Sequence, residues 1–392
     1  MERSVIVAAA RTPIGAFLGS LSSLSAPQLG AVVVREVVKR AGVQPDQVDE
    51  VIMGNVLTAG VGQAPARQAA IFGGLPTSVR CMTINKVCGS GLKAVMLADQ
   101  AIRLGDAEII IAGGQESMSN APYLLPKART GYRLGNGEVI DSMVHDGLWD
   151  VYNQFHMGNA AELCARTCNI PREAQDEYAI LSYKRAQEAQ EKGWFKEEIV
   201  PVEVKQKKTT VIVDTDEEPG RAKFDKIPQL KPVFEKEGTV TAANASKIND
   251  GAAAVMVMSE SRAQELGIQP MARIIAHEAF AQDPEWFTTA PAGSVKKVLD
   301  KAGMKLEDID LFEINEAFAV VALAAKDQLG IPIEKLNVHG GAVALGHPIG
   351  ASGARLLTTL LYALKQHNKR YGLVSLCIGG GEAVAMIVER IG

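Results

Sequence analysis

The chain contains an internal repeat, and the length of this repeat limits the possible folds more than any other feature of the sequence. Residues 41–51 (AGVQPDQVDEV) correspond to 302–312 (AGMKLEDIDLF), and 89–92 (GSGL) correspond to 351–354 (ASGA). Late in each copy an apolar run leads into glycines, at 111–116 and 377–382. The period is far too long for a solenoid. We infer two similar halves that arose by duplication.

Short apolar runs alternate with segments of helical periodicity. The predicted strands lie at 5–10, 48–53, 81–84, 109–112 and 310–314, and the predicted helices at 26–40 and 88–103. Gly113 and Gly114 are expected to close the strand at 109–112. Continuous apolar strands separated by helices are typical of a sheet covered on both faces. The sequence therefore predicts an α/β fold.

A more polar, highly charged segment at about 119–245 lies within the first copy. It has helical stretches and an irregular part around 214–231. We predict a first half at 1–267 that contains this inserted subdomain, and a second half at 268–392. Insertions on a rigid scaffold often contact substrates, so the segment is a candidate substrate-binding lobe. A solvated surface lobe is the alternative interpretation.

Charge and cysteine content exclude several classes of function. The net charge is −4 without long runs of either sign, which argues against binding nucleic acid or an anionic membrane. No stretch of 18 apolar residues and no secretory leader are found, so a cytoplasmic location is expected. Five cysteines without a C-x-x-C motif indicate reduced thiols. Cys164 and Cys168 lie four apart near His156, but without a second ligand pair they predict no metal site.

Cys88 lies between a predicted strand and a predicted helix, in the sequence NKVCGSGL at 85–92. This is the layout of a nucleophile elbow, with sulfur in place of oxygen. The positive end of the helix dipole and its free N–H groups are expected to lower the pKa of such a thiol. Cys88 is therefore a candidate nucleophile, and a buried structural cysteine in a tight turn is the alternative.

The segment GGAVALGHPIG at 340–350 places His347 between Gly346 and Pro348, ahead of a predicted helix. By the repeat, Gly350 corresponds to Cys88. His347 therefore lies near the equivalent turn of the second half, where a base can face the nucleophile of the first half. Taken alone, such a histidine is more often structural.

Two further positions follow predicted strands. Cys377 ends the last core strand and is followed by three glycines, which suits an oxyanion site or a proton-transfer group. Asn315 and Glu316 follow the strand at 310–314 and are expected to open a helix. Active sites of α/β proteins gather at the carboxyl ends of strands. A packed strand end and a helix N-cap are the structural alternatives for these positions.

Four blocks of the sequence resemble the signature motifs of the thiolase family: KVCGSG at 86–91, NEAFA at 315–319, GGAVALGHPIGASGAR at 340–355 and CIGGG at 377–381. The segments 62–70, 113–123 and 244–254 are also similar to that family, so the likeness covers essentially the whole chain. It implies a duplicated five-layer α-β-α-β-α architecture with an inserted loop subdomain that binds coenzyme A.

The resemblance implies the reversible condensation of two acetyl-CoA to acetoacetyl-CoA and CoA, through an acyl-cysteine. His156 and Met157 look closer to the short-chain branch, because Met157 would crowd the acyl pocket. At 287–288 the chain has Phe-Thr where many bacterial short-chain members have Met-Gly. Phe287 resembles the mitochondrial type that accepts a 2-methyl branch, so we expect the same tolerance here.

The resemblance also implies roles for individual residues. Cys88 matches the nucleophile, His347 its base and Cys377 the acid/base at the α-carbon. Asn315 matches the residue that positions a water in one oxyanion site, and the N–H groups of Cys88 and Gly379 match the second site. The expected coenzyme A contacts are His156, Met157, Arg221, Lys226, Ser246, Phe287, Ala317 and Phe318.

We expect no cofactor and no metal, since the coenzyme A thioesters are the substrates. The resemblance also implies a homotetramer built as a dimer of dimers, with a dimer as the alternative. Three other classes of protein share part of this pattern. A ketoacyl synthase would pair its cysteine with two histidines, or with a histidine and an asparagine, and Cys377 argues against it. A non-catalytic acyl-CoA-binding relative would lack a reactive group, and a cysteine hydrolase would leave Cys377 without a role.

Overall fold

The computed structural model describes residues 2–392. The strands are β1 (Ser4–Arg11), β2 (Gly15–Ala16), β3 (Glu50–Gly54), β4 (Arg80–Ile84), β5 (Ile109–Ser117), β6 (Tyr123–Leu124), β7 (Ile140–Asp141), β8 (Trp149–Asp150), β9 (Phe155–His156), β10 (Val202–Lys205), β11 (Thr210–Val213), β12 (Asn249–Ser259), β13 (Ala272–Ala281), β14 (Leu311–Ile314), β15 (Tyr371–Ile378) and β16 (Glu382–Arg390). The helices are α1 (Ala26–Ala41), α2 (Pro65–Phe72), α3 (Ser90–Leu104), α4 (Ser142–Gly147), α5 (Met157–Thr167), α6 (Arg172–Glu191), α7 (Glu260–Glu265), α8 (Ala290–Ala302), α9 (Ala319–Leu329), α10 (Ala342–Leu345) and α11 (Ser352–Gln366).

The two halves have the same strand order, in agreement with the two similar halves inferred from the repeat. The order is β1-β12-β5-β3 in the first half and β13-β16-β15-β14 in the second, and β4 extends the first half beyond β3. In each half the innermost two pairings are antiparallel and the next is parallel. The halves join where β1 pairs with β13, through Val5 opposite Arg273 and Ile6 opposite Ala272.

Helices and strands form five layers, and three groups of buried apolar side chains fill the spaces between them. The second group covers both sides of the central helical layer. The first fills the space between α1, α2 and one face of the first-half strands. The second surrounds α3 and α11, which lie between the strands of the two halves. The third lies between the second-half strands and α5, α6, α8 and α9. Side chains of one strand alternate between layers, as Ile110 faces α3 while Ile109 and Ile111 face α1. The predicted five-layer α/β fold is confirmed.

The repeated glycines permit the two central helices to touch through their backbones. A Cβ atom on Gly353 would lie 2.4 Å from the backbone nitrogen of Leu92, and one on Gly91 would lie 2.8 Å from that of Ala354. Side chains at these positions would separate α3 from α11. Because Cys88 precedes α3 and His347 precedes α11, the close crossing brings these two candidates near each other.

The strand predicted at 109–112 is longer than the sequence indicated. β5 continues through both glycines to Ser117. A Cβ atom on Gly113 would lie 2.1 Å from the oxygen of Ala253, and one on Gly114 would lie 2.0 Å from the oxygen of Gly350. These glycines therefore do not end the strand. They permit the backbones of β12 and of the second half to approach it closely.

Two helix starts also differ from the prediction. The helix predicted from residue 88 begins at Ser90, which leaves Cys88 in the preceding turn. Asn315 and Glu316 do not open a helix, because α9 begins only at Ala319. Both corrections place a candidate site residue in a short connection between strand and helix. Side chains in such connections are free to face the cavity instead of packing along a helix.

The inserted segment is less of a surface lobe than its polarity suggested. Its helices α5 and α6 pack against α9 and α10 of the second half. Ala160, Ala161, Ala179 and Ala186 are fully buried in this contact. The part at 214–231 is irregular, as predicted, with two short 3₁₀ turns. Within residues 2–392, no helix is long and apolar enough to cross a membrane.

Candidate active site

Cys88 lies in a tight turn between β4 and α3. Val87 has a φ of 45°, a strained value for a β-branched residue. The hydroxyl of Ser90 accepts a hydrogen bond from the N–H of Lys86 at 2.8 Å and donates to the carbonyl of Val87 at 2.7 Å. A Cβ atom on Gly89 would lie 2.4 Å from the side chain of Ile378. The turn is therefore held by its own hydrogen bonds and pressed against the end of β15.

The pKa of Cys88 does not follow the expectation from the helix dipole. Burial raises the pKa of the Cys88 thiol to about 11, and the backbone N–H groups of Gly379 and of Cys88 itself oppose only part of this rise. The loss of water around the sulfur changes the pKa more than the helix dipole does, because a thiolate is strongly solvated. The free thiol is therefore protonated at neutral pH, and its proton has to leave during the reaction.

His347 is held in one tautomer. The hydroxyl of Ser352 donates to the carbonyl of Pro348 at 2.8 Å, so it can only accept from Nδ1–H of His347, at 2.5 Å. The second ring nitrogen, Nε2, therefore carries a lone pair and has no hydrogen-bond partner within residues 2–392. Burial, with a contribution from the positive charge of Arg355, lowers the pKa of His347 to about 4. His347 is thus a neutral base.

Asn315 directly follows β14, and Cys377 is the second-to-last residue of the neighbouring parallel strand β15. Ile314 pairs with Ser375, and the N–H of Asn315 donates to the carbonyl of Ser375 at 3.0 Å. Both Asn315 and Cys377 are fully buried. Burial first, and then the nearby sulfurs of Cys88 and Cys164, raise the pKa of Cys377. The side-chain amide of Asn315 has no hydrogen-bond partner in the described chain, so its nitrogen can donate to a ligand and its oxygen can accept from one.

One cavity of about 210 Å³ brings most of the predicted residues together. Cys88, His347 and Gly379 line it, whereas Asn315 and Cys377 are not part of its wall. Six of the eight predicted coenzyme A contacts also line this cavity: His156, Met157, Ser246, Phe287, Ala317 and Phe318. The rest of the wall is mainly apolar, and Phe234 stacks on the ring of His156 with centroids 4.8 Å apart.

Arg221 and Lys226, the other two predicted contacts, lie in a second cavity of about 250 Å³. Arg221 also forms ion pairs with Glu217 at 3.4 Å and Glu218 at 3.9 Å. Lys247 lines both cavities. The two groups of predicted contacts are therefore separate but adjacent.

Sequence reasoning missed Lys247. Burial lowers the pKa of its ammonium to about 8, and Nζ donates to the carbonyls of Ala245 and Val343. The ammonium therefore lies at the junction of the inserted segment and the second half. A signal was present, because Lys247 directly follows the predicted contact Ser246.

Glu116 was also missed. This buried carboxylate accepts hydrogen bonds from the N–H groups of Gly350 at 2.8 Å and Val56 at 3.0 Å, and from the side chain of Asn55. Burial raises the pKa of Glu116 to about 7 despite these donors. The side chain ties the turn of the second half to a loop of the first. No sequence pattern reveals this, because Glu116 and its partners lie in three separate segments.

No cluster of three or more histidine, cysteine or acidic side chains with metal-binding geometry occurs within residues 2–392. The chemistry that the cavity offers is that of a thiol, a neutral imidazole and backbone N–H groups. This combination suits the transfer of an acyl group through a thioester.

Comparisons with known proteins agree with this geometry. The family model for the thiolase N-terminal domain matches residues 4–261, and that for the thiolase C-terminal domain matches residues 268–390. An acetyl-CoA acetyltransferase of Cupriavidus necator is 57% identical over 392 residues, and a probable acetyl-CoA acetyltransferase of Escherichia coli is 52% identical over 391 residues. In both cases the match covers 100% of each chain.

Solved structures give the same result. The crystal structure of the Bacillus anthracis acetyl-CoA acetyltransferase is 43% identical, with a TM-score of 0.98 over 100% of this chain and 99% of that one. A thiolase of Ascaris suum, crystallised in complex with coenzyme A, is also 43% identical, with a TM-score of 0.95 over 100% of both chains.

Proposed function

The chain belongs to the thiolase family, and from this premise we propose that it is an acetyl-CoA C-acetyltransferase. The reaction is the reversible condensation of two acetyl-CoA to acetoacetyl-CoA and CoA, or in reverse the thiolysis of a short 3-ketoacyl-CoA. The observation that carries the proposal is the shared cavity, in which Cys88 faces backbone N–H groups and the free nitrogen of His347 lies on the same wall.

The first half-reaction transfers an acetyl group to Cys88. As the sulfur attacks the carbonyl carbon of acetyl-CoA, its proton moves to Nε2 of His347. The bond to coenzyme A then breaks, and the proton passes from His347 to the departing sulfur. A thiol with a pKa of about 11 and an imidazole with a pKa of about 4 do not form an ion pair at rest. Proton transfer therefore accompanies the attack.

The second half-reaction uses a second acetyl-CoA. The thiol of Cys377 first gives its proton to Nε2 of His347, and the thiolate then takes a proton from the α-carbon. The resulting enolate carbon attacks the carbonyl carbon of acetyl-Cys88, and the bond from this carbon to Cys88 breaks. The departing sulfur takes the proton from His347, while Cys377 keeps the α-proton. Burial raises the pKa of Cys377, so its thiolate is a strong base when it forms. The products are acetoacetyl-CoA and free Cys88.

Two groups of donors are proposed to stabilise the negative charge that develops on oxygen. The N–H groups of Cys88 and Gly379 already face the sulfur of Cys88, so they suit the thioester oxygen of the acyl-enzyme. Asn315, whose buried amide lacks a protein partner, would position a water that serves the second oxygen together with His347. This reaction uses no metal ion, flavin or nicotinamide.

We propose that coenzyme A enters along both cavities. Ser246, Ala317 and Phe318 would contact the pantetheine arm in the first cavity, and Arg221 and Lys226 would meet the phosphates and adenine in the second. Lys247 lies between these groups. The first cavity is smaller than the ~300–1,000 Å³ of a typical ligand site, which favours a short acyl chain.

Phe287 and Met157 bound the acyl end of the first cavity and are both nearly buried. We propose that they restrict the acyl group to about four carbons and leave room for a 2-methyl branch. Thiolysis rates with acetoacetyl-CoA, its 2-methyl derivative and a 3-ketoacyl-CoA of eight or more carbons test this. Faster cleavage of the four-carbon substrates supports the proposal, and a clear preference for the longer chain would refute it.

The biological setting is likewise a proposal. A homotetramer acting in the cytoplasm, in fatty acid and lipid metabolism, is consistent with the acetyl-CoA chemistry. Light scattering of the purified protein tests the tetramer, and a dimer would contradict it.

A further inference from the structure

The proposed reaction leaves one pair of thiols without a task. Cys164 lies in the last third of α5, and Cys168 directly follows the helix. Their sulfur atoms are 3.9 Å apart, and the N–H of Cys168 donates to the carbonyl of Cys164 at 2.8 Å. A disulfide has sulfurs about 2.05 Å apart. A bond therefore requires the two sulfurs to approach each other by about 2 Å.

The pair also has a position that links the surface to the active site. Cys168 is partly exposed, whereas Cys164 is fully buried. Cys164 is close enough to Cys377 for a charge on its sulfur to raise the pKa of Cys377. A charge on the sulfur of Cys88 raises the pKa of Cys377 in the same way. Cys168 is thus the outer thiol of the pair, and Cys164 is the one closer to the active site.

We propose that Cys164 and Cys168 are an oxidisable dithiol, which hydroperoxides convert to a disulfide at the end of α5. The sulfur of Cys168 attacks a peroxide oxygen, which breaks the O–O bond and leaves a sulfenic acid and, from hydrogen peroxide, one water. The sulfur of Cys164 then attacks the sulfur of Cys168 and displaces a second water. Two thiols and one hydrogen peroxide give one disulfide and two waters, and a dithiol reductant reverses the change.

The two thiols have different roles in this step. Cys168 meets the oxidant because it is the exposed partner. Burial raises the pKa of Cys164 to about 12, so its thiolate is scarce at neutral pH. The short sulfur–sulfur distance compensates, since it makes the second attack intramolecular. Disulfide formation should therefore become faster as the pH rises.

The test is mass spectrometry of the wild-type protein after treatment with hydrogen peroxide and alkylation of the remaining thiols. Trypsin cleaves after Arg166, between the two cysteines, and again after Arg172. A disulfide therefore joins the peptide 167–172 to the peptide that ends at Arg166. We expect this cross-linked pair to hold the majority of oxidised Cys168 and to disappear after reduction.

Two variants serve as controls. Cys168→Ser should abolish the cross-linked pair, and Cys81→Ser, which removes another partly exposed thiol, should leave it unchanged. Three results on the wild-type protein would overturn the proposal: Cys168 found as sulfinic or sulfonic acid beside reduced Cys164, Cys168 joined to any other cysteine, or Cys168 unmodified while Cys88 is oxidised. These outcomes do not depend on the folding of either variant.

Discussion

The two halves of the molecule carry the same turn but use it differently. In the first half Ser90 begins α3, and its hydroxyl donates to a carbonyl of the preceding turn. In the second half Ser352 begins α11 and does the same. The residue two places earlier is Cys88 in one copy and Gly350 in the other. The duplication preserved the hydrogen-bonded turn while the chemistry of the two copies diverged.

The difference follows from what surrounds each turn. The turn of Cys88 opens on the cavity, so its side chain can meet a substrate. The turn of Gly350 is buried within the first half, where a Cβ atom would lie 2.6 Å from Oε2 of Glu116. Because the second turn is anchored so deeply, His347 at its start reaches the cavity that holds Cys88. One copy of the repeat therefore supplies the sulfur, and the other positions the base.

The largest expected effect is the loss of the sulfur in the first turn. Cys88→Ala should lower kcat by at least about 10⁴-fold, because no other group can form the thioester. Steady-state condensation and thiolysis assays measure this. Cys81→Ala, which removes a thiol on β4 outside the cavity, should leave kcat within a factor of about two. Comparable loss in both variants would show that the effect is not specific to the turn.

The next effect concerns the base in the second turn. His347→Gln should lower kcat by about 10²–10⁴-fold, the usual contribution of general base catalysis. The exposed His145 provides a matched control, and His145→Gln should have no effect on kcat. Rapid-quench measurement of Cys88 acetylation separates this step from the condensation.

The pH dependence of acetylation tests whether His347 acts as a neutral base. Because the folded-state pKa of His347 is about 4, below the usual value of 6.5, the base stays neutral down to that pH. The acetylation rate of the wild type should therefore remain constant as the pH falls from about 8 to about 5. A decline centred near pH 6.5 would contradict the assignment of a buried neutral histidine.

A smaller effect is expected from filling the second turn. Gly350→Ala should lower the free energy of unfolding by about 1–3 kcal/mol, because the added methyl group meets Glu116. Gly220→Ala is the control, since a Cβ atom there has no neighbour within 4 Å. Thermal unfolding of both variants measures the difference. An equally stable Gly350→Ala would show that the second turn is not tightly anchored.

The smallest effects distinguish the two serines. Ser90→Ala and Ser352→Ala should each cost about 1–2 kcal/mol of stability, because each removes a hydroxyl that makes two hydrogen bonds. Only Ser352→Ala should also change the pH profile of acetylation, since only Ser352 fixes the tautomer of His347. Identical pH profiles in both variants would contradict a positioning role for Ser352.

The repeat predicted much of this arrangement from sequence. It placed Gly350 opposite Cys88 and so brought His347 to the site, and it predicted two similar α/β halves. Local sequence patterns predicted the ends of strands less well at glycines. Gly113 and Gly114 were predicted to end a strand, but they lie inside β5, where they admit the backbones of β12 and of the second half. That role depends on contacts between distant segments.

The sequence also failed to predict the pKa values of the site residues. The position of Cys88 before a helix predicted a lowered pKa, yet burial raises it to about 11. Desolvation depends on how the two halves pack, and no local motif encodes it. Glu116 was missed for the same reason, since its partners come from distant segments. Motifs identified the reacting groups, and packing determined their protonation states.

The central claim is that the first turn carries the acyl group, and mass spectrometry of the protein after incubation with acetyl-CoA tests it most directly. We predict a single acetyl group on the peptide that contains Cys88, lost when free CoA is added and absent from His347→Gln at short times. An acetyl group on Cys377 or Cys164 in place of Cys88, or no CoA-reversible acetylation at all, would contradict the account.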